Sequence, residues 1–166
     1  MENLNNIILF LFKNYPNPLE LSKARLVKMV YLADWKSAIT YGNQLTNIKW
    51  FYNHYGPYVN EIIESIRSDE NFELEWISNS NGEPKELIKL KNNKANYNLE
   101  KKTKEILKFV IDATYPLYWS DFINLVYSTY PIKKSTKYSN LDLIELGKEY
   151  KALHTTTAIS NADLDT

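Results

Sequence analysis

Asp34 is the residue of this chain whose position most strongly suggests a chemical role. It lies in the segment 26–35, where almost every side chain is apolar, so the segment is predicted to be a helix buried on most sides. The neighbours one helical turn away, Val30 and Ala38, offer no positive charge. Because a buried carboxylate without a partner is costly, Asp34 must find its partner in another part of the fold. The candidate partners are Lys49, His54, Arg67 and the indole N–H of Trp50.

Two roles for Asp34 are compatible with this position. The first is a structural hydrogen-bond or ion network that holds the buried helix. The second is direct use in recognition or in chemistry, as in a small hydrolase that employs Asp34 together with His54. We favour the structural role and keep the hydrolase as an alternative.

Other signatures of enzyme chemistry are missing from the sequence. His54 and His154 are its two histidines, they show no metal-ligand spacing, and the chain has no cysteine. No G-x-S-x-G turn surrounds a serine, and the 4 glycines are too dispersed to form a phosphate-binding loop. We therefore predict a non-enzymatic protein with no catalytic residue, no metal site and no cofactor. The lack of cysteine also favours a cytoplasmic location.

The charge balance disfavours nucleic acid and membranes as partners. The chain has 20 Lys and Arg residues and 20 Asp and Glu residues, so its overall field attracts neither. Two lysine clusters, within residues 101–104 and 133–137, are interpreted as solvated helix ends. The alternative is a DNA-binding regulator that uses these clusters and a hairpin in the manner of a winged helix.

Aromatic side chains are the feature that favours a protein partner. They make up 14% of the chain and include 13 tyrosines, and tyrosine and tryptophan dominate the energetics of protein interfaces. Some of these side chains must belong to the core. The partner-binding candidates are Tyr52, Tyr55, Tyr58, Tyr118 and Trp119. Trp50 and Tyr115 are further aromatic candidates.

The elements that must position these residues begin with two predicted helices. The first spans residues 4–13 and ends before two prolines and two asparagines. Its apolar run, residues 7–12, is too short for a membrane span or a signal peptide and is expected to be a buried stripe. The second helix begins near Leu19, carries the segment 26–35 and stops at Gly42, which suits a left-handed C-terminal cap.

A small antiparallel sheet is predicted next. The period of two in residues 48–52 indicates a strand, and Gly56 followed by Pro57 is expected to start a helix. Segments 72–77 and 87–90 flank a loop with an Asn-Gly pair, which predicts a hairpin. Since a lone hairpin is marginal in water, we expect its strands to join the first strand in a three-stranded sheet.

The C-terminal part of the sequence predicts three more helices. The first spans about residues 99–113, and the second is expected to be capped by Ser120 and ended by Pro131. The last starts after Ser139 or Asn140.

The fold predicted from these elements is a predominantly helical α+β domain. At 166 residues one core is the economical arrangement, a single-domain helical bundle with a small antiparallel three-stranded sheet. We expect this domain to span residues 1–153. Residues 154–166 contain few large apolar side chains, so they are predicted to form a loose C-terminal tail.

A series of motifs in the first half of the chain occurs in a recognisable order. Residues 28–34 read K-M-V-Y-L-A-D, residues 42–46 read G-N-Q-L-T, and an aromatic strand with Trp50 leads to Gly56 and Pro57. This order and spacing resemble the Panacea domain family, the SocA-like antitoxin group that also occurs in phage-associated proteins. A weaker likeness in the C-terminal half extends the match to roughly residues 5–150.

The resemblance implies both a function and a set of motif residues. It implies the antitoxin of a bacterial toxin–antitoxin pair that neutralises a cognate toxin by protein contact, in some relatives by delivering the toxin to a protease. The DNA-binding regulator and a small phage-derived hydrolase stay as alternatives. The motif residues, interpreted mainly as fold-defining with a recognition role left open, are Tyr31, Asp34, Thr46, Trp50, Gly56 and Pro57.

Overall fold

The protein is described by a computed structural model that covers the backbone of residues 1–162 and the side chains of residues 1–155. A 3-10 turn, Pro18–Glu20, precedes the second helix. The described α-helices are α1 (Leu4–Asn14), α2 (Lys23–Tyr41), α3 (Glu61–Arg67), α4 (Lys101–Thr114), α5 (Trp119–Ser128), α6 (Tyr130–Lys134) and α7 (Leu143–Ala162). The described strands are β1 (Trp50–Asn53), β2 (Gly56–Tyr58), β3 (Phe72–Ser78), β4 (Pro84–Leu90) and β5 (Asn140–Leu141).

The helix α2 lies at the centre of the fold, as its apolar sequence predicts. Every residue from Arg25 to Trp35 is buried, and α4 and α7 pack against this helix. Its first turn is capped by the Ser22 hydroxyl, which accepts a hydrogen bond from the Arg25 N–H at 3.2 Å. Its last turn ends at Gly42, whose φ of 77° gives the expected left-handed cap.

The three-stranded sheet has the order β2-β1-β5, with antiparallel pairing throughout. The predominantly helical α+β class with a small three-stranded sheet is therefore confirmed. The expected membership of that sheet is wrong, because β3 and β4 pair only with each other. This hairpin does not need a third strand, since it buries Phe72 and Ile88 in the common core.

The expectation that Gly56 and Pro57 start a helix is also wrong. Both residues lie in β2, and α3 begins only at Glu61. Gly56 has a φ of 96°, a backbone conformation that lets the chain reverse tightly after β1. Pro57 is tolerated in β2 because this is an edge strand, where the missing N–H removes no essential ladder bond.

Several helix boundaries differ from the predicted ones. Leu19 lies in the 3-10 turn, and α2 begins at Lys23. The N-cap of α5 is Tyr118, so Ser120 lies inside the first turn and does not cap the helix. Pro131 does not end α5 but lies in the first turn of α6, where its fixed φ is favourable.

The last helix is longer than the sequence predicts. α7 continues past His154 to Ala162, so the backbone is helical where a loose tail is expected to begin. Residues 163–166 of that predicted tail lie outside the described residues. Gly147 lets α7 approach α2 closely, because a Cβ there would lie 3.2 Å from the Ala38 carbonyl oxygen. None of the described helices combines the length and the apolar character that a membrane span requires.

Candidate functional site

Asp34 is fully buried and accepts five hydrogen bonds. Its Oδ1 accepts from the backbone N–H groups of Leu45 and Thr46, at 2.9 and 3.0 Å. Its Oδ2 accepts from the Thr46 hydroxyl at 2.5 Å and from the Trp50 indole N–H at 2.8 Å. The Gln44 amide adds a longer bond to Oδ2 at 3.2 Å. The carboxyl group therefore fastens the loop after α2, and the start of β1, to the central helix.

The electrostatics of this carboxyl group come from burial and neutral donors. Burial raises the pKa of Asp34 above its ordinary value, while the hydrogen bonds from Thr46, Trp50 and the backbone oppose that rise. Of the four partners that the sequence offers, Trp50 contacts the carboxyl group. No described hydrogen bond or ion pair joins Asp34 to Lys49, His54 or Arg67.

Two other motif residues extend the same network. Tyr31 is fully buried on α2, and its ring packs edge-on against Trp50 with the centroids 5.6 Å apart. Its hydroxyl shares a hydrogen bond of 2.8 Å with the Thr129 hydroxyl, which lies between α5 and α6. Burial raises the pKa of the Tyr31 hydroxyl. Tyr31, Asp34, Thr46 and Trp50 thus tie α2 to the sheet and to the C-terminal helices.

Gly56 and Pro57 lie away from this network, in the β1–β2 hairpin. The Tyr127 ring of α5 packs against Gly56: a Cβ at that glycine would lie 3.5 Å from the ring. Both hairpin residues are buried. They therefore fix the hairpin against α5 and contribute no exposed polar group.

His54 lies at the exposed tip of the same hairpin. Its Nδ1 is 3.1 Å from the Tyr138 hydroxyl, and its ring contacts the Tyr55 ring at a centroid distance of 4.5 Å. Since Asp34 has no exposed surface, the structure does not bring these two residues together in a cleft. Within the described residues, no group of three or more His, Asp and Glu side chains could hold a metal ion.

The lysine clusters lie on separate elements, the start of α4 and the end of α6. Lys102 stands over the Tyr41 ring, with its Nζ 5.6 Å from the ring centroid. The β3–β4 hairpin is mixed in charge, and Lys89 pairs there with Glu75 across the strands. The hairpin surface is therefore not a contiguous basic face of the kind that phosphate binding favours.

The partner-binding candidates differ widely in exposure. The exposed fraction is 84% for Tyr118, 77% for Tyr55, 48% for Trp119 and 37% for Tyr58. Tyr52 is 7% exposed and belongs to the core, so its choice as a partner contact is not supported by the structure. Its inward direction follows from the strand period, which places it on the same face of β1 as Trp50.

Exposed aromatic side chains surround two adjoining cavities at the start of α2. One cavity, of about 470 Å³, is lined by Tyr58 and Ala24. The other, of about 580 Å³, is lined by the same Ala24 and by Tyr115, Tyr118 and Trp119. We call the four aromatic residues and the two cavities the α2 N-terminal surface. Tyr115 and Tyr118 lie in the turn between α4 and α5, Trp119 is the first residue of α5, and Tyr58 is the last residue of β2. The surface therefore forms only when these distant parts of the sequence pack together.

Arg25 is a buried residue that stabilises the α2 N-terminal surface. Sequence reasoning missed it. It is 8% exposed, and its guanidinium donates to the Thr114 carbonyl at 3.0 Å and the Leu117 carbonyl at 2.6 Å. A longer bond of 3.3 Å reaches the Tyr15 hydroxyl, and the Phe122 ring packs against the guanidinium. Arg25 therefore holds the α4–α5 turn against α2. An arginine directly before the apolar segment 26–35 is the sequence signal that could have identified it.

Lys28 is a second charged residue of α2 that sequence reasoning did not single out. It is 3% exposed, and none of the described residues offers its amine a hydrogen bond or an ion pair. Burial lowers the pKa of Lys28 below its ordinary value. The charged form of this amine is therefore less favourable in the folded protein than in water.

Comparison with known proteins gives one family match. The family model described as "Antitoxin SocA-like, Panacea domain" matches residues 26–131, a span that runs from the fourth residue of α2 through β1 to β4 and α5 into the start of α6. No curated protein and no solved structure matches the chain.

Proposed function

Because this chain belongs to the SocA-like antitoxin, Panacea domain family, we propose that it is an antitoxin that binds a cognate toxin directly and silences it. In this proposal the protein acts in the cytoplasm, without catalysis, and its toxin is the product of an adjacent gene. The family membership implies a protein partner; the identity of the toxin and the manner of silencing are part of the proposal.

The observation that carries the proposal within the structure is the α2 N-terminal surface. Tyr58, Tyr115, Tyr118 and Trp119 are all exposed there, around two concave sites that share Ala24. Aromatic side chains beside pockets are the usual centres of binding energy in protein interfaces. A standard interface buries about 800 Å² on each partner, and such a continuous surface offers a suitable centre for it.

The rigidity of this surface also supports a binding role. The α4–α5 turn, which contains Tyr118 and leads directly into Trp119 of α5, is held by the hydrogen bonds that the Arg25 guanidinium donates to two backbone carbonyls. Because these contacts order the turn before any partner arrives, little conformational entropy remains to be lost on binding.

The experiment that tests the proposal is co-expression with the adjacent gene. That gene product is expected to arrest growth when expressed alone and to be tolerated together with this chain, with which it should co-purify. An adjacent product that is harmless alone, or whose toxicity this chain does not relieve, would remove the proposal.

The surface is tested by alanine variants of its aromatic residues. Tyr118→Ala and Trp119→Ala are each expected to weaken toxin binding by about 30-fold or more, the usual effect at a binding hot spot. Trp76→Ala is the matched control, because Trp76 is 67% exposed on β3, outside this surface. An equal loss from the Trp76 variant, or no loss from the other two, would place the interface elsewhere.

Two manners of silencing are separated by the lifetime of the toxin. If the antitoxin blocks its toxin, the toxin level stays constant while growth resumes. If it delivers the toxin to a protease, the toxin half-life falls when this chain is co-expressed and recovers in a strain that lacks the protease. The same cultures report both outcomes through immunoblots after synthesis has been stopped.

A further inference from the structure

The larger cavity of the α2 N-terminal surface has an unusual charge at its base. Arg25 lines it and is 8% exposed as a residue, yet the three hydrogen-bond acceptors of its guanidinium are all neutral, two carbonyls and a tyrosine hydroxyl. No described carboxylate forms an ion pair with it. A guanidinium has five N–H donors, so donors remain after these three bonds. Burial makes such an uncompensated charge costly, and an anion in the cavity would relieve that cost.

The rest of the lining strengthens the preference for an anion. Lys85, at the start of β4, is exposed and lines the same cavity. Glu20 is the acidic residue among the described lining residues, and it is exposed and makes no described ion pair. Two cationic side chains and one anionic side chain leave the lining with a positive charge.

The N-termini of two helices also favour an anion in this cavity. The N-termini of two helices line this one cavity: Ser22 is the N-cap and Ala24 the second residue of α2, and Tyr118 is the N-cap and Trp119 the first residue of α5. The N-cap of α5 provides no side-chain acceptor for the free N–H groups of its first turn. The partial positive charge of a helix N-terminus favours a carboxylate nearby, so both helices add to the field of Arg25.

The rim of the cavity determines what surrounds the anion. Tyr115, Tyr118 and Trp119 are 47%, 84% and 48% exposed at this rim. An inorganic ion would leave these rings in water, whereas a peptide segment would cover them. The charge at the base and the rings at the rim together suit a carboxylate that is flanked by apolar side chains.

We infer that this cavity receives an aspartate or glutamate side chain of the partner protein, with Arg25 and Lys85 facing the carboxylate and Tyr118 and Trp119 covering the apolar residues beside it. This inference rests on the proposed function, since it names the chemistry by which that partner is recognised. It makes the partner's contact segment acidic, although the antitoxin itself carries no net charge.

The test titrates the full chain with small peptides and follows the indole N–H of Trp119 by NMR. The probes are acetyl-Leu-Glu-Leu-amide and its matched control acetyl-Leu-Gln-Leu-amide. The glutamate peptide is expected to cause saturable shifts of this signal and to bind about tenfold more tightly than the glutamine peptide. Added salt should weaken the binding of the glutamate peptide and leave the binding of the glutamine peptide unchanged.

Two exposed lysines give matched variants for the same titration. Lys85→Gln is expected to weaken the binding of the glutamate peptide about threefold or more, because it removes an exposed positive charge from the lining of the cavity. Lys108→Gln should leave it unchanged, because Lys108 is exposed on α4 and does not line the cavity. Both lysines are exposed, so neither change is expected to unfold the protein.

Three results would overturn the inference. These are equal binding of the two amidated peptides, no shift with either peptide at the highest soluble concentration, and equal effects of the two lysine variants. If the chain responds only to acetyl-Leu-Gln-Leu with a free C-terminal carboxylate, the cavity binds a chain terminus and not an acidic side chain, and the inference is rejected. None of these measurements uses the toxin, so growth rescue without peptide binding would retain the antitoxin proposal and reject the carboxylate site.

Discussion

The substitution Asp34→Asn tests the network that joins α2 to β1. Asparagine keeps the shape of the side chain and one carbonyl oxygen, which can still accept from the backbone N–H groups of Leu45 and Thr46. The amide NH₂ replaces the oxygen that accepts from the Thr46 hydroxyl, from Trp50 and from Gln44. The Thr46 hydroxyl can rotate and accept a hydrogen bond from the new amide. The indole N–H of Trp50 cannot accept, so it faces the amide NH₂ as one donor against another.

The expected magnitude follows from these bonds. Trp50 is 1% exposed, so its N–H cannot donate to water in place of the lost carboxylate. An unpaired buried donor costs about 1–3 kcal/mol. The two backbone bonds change from charged to neutral acceptors, a loss of about 1 kcal/mol each. Removing a buried charge returns part of this cost. We expect a net loss of about 3 kcal/mol in the free energy of unfolding.

The assay is urea-induced unfolding followed by circular dichroism, with Asp112→Asn as the control. Asp112 is exposed on α4 and makes no described ion pair, so its change should stay within about 0.5 kcal/mol. A double-mutant cycle with Trp50→Phe should show a coupling of about 1 kcal/mol or more, because each change removes the same bond. A loss below about 0.5 kcal/mol for Asp34→Asn, or additive changes in the cycle, would refute the reasoning.

Three other substitutions probe α2 and its neighbours, each by the same unfolding assay. Lys28→Met should raise stability by about 1 kcal/mol at neutral pH. Burial lowers the folded-state pKa of Lys28 below 10.5, so the unfolded chain binds more protons and wild-type stability rises with pH between these two pKa values. The advantage of the methionine variant should therefore shrink over that window, and a constant or growing advantage would contradict the assignment. Arg25→Lys keeps the charge but loses the planar donor pair, for an expected cost of about 2 kcal/mol; an unchanged midpoint would show that the turn is held by other contacts. Gly147→Ala should destabilise by about 1 kcal/mol despite alanine's better helix propensity, because its Cβ would meet the Ala38 backbone; a gain in stability would show that α7 moves away without cost.

Local patterns predicted the helices better than they predicted the sheets. The apolar run of α2 and the left-handed Gly42 follow from residue types alone, and both occur in the structure. The period of two in residues 48–52 predicts a strand, and the structure has one at Trp50–Asn53. Its neighbour β5, only two residues long, has no such pattern, because its place in the sheet depends on contacts with β1 that are distant in sequence.

The candidate site was predicted only in part. The aromatic content made Tyr55, Tyr58, Tyr118 and Trp119 partner-binding candidates, and these four are exposed, but it also included Tyr52, which is buried. Tyrosine suits both a core and an interface, so its type does not fix its exposure. Arg25 was missed because its partners are backbone carbonyls of the α4–α5 turn, and backbone acceptors leave no trace in residue types.

The sequence by itself determined the family, the central buried helix and the need of Asp34 for a tertiary partner. These depend on residue order and on the cost of burying charge, which hold in any arrangement of the helices. Only the tertiary structure decided that this partner is the Trp50 indole with the loop backbone, and that Asp34 and His54 lie apart. Only packing could place the start of α2 beside the turn between α4 and α5, where a buried guanidinium and exposed aromatic rings share one cavity.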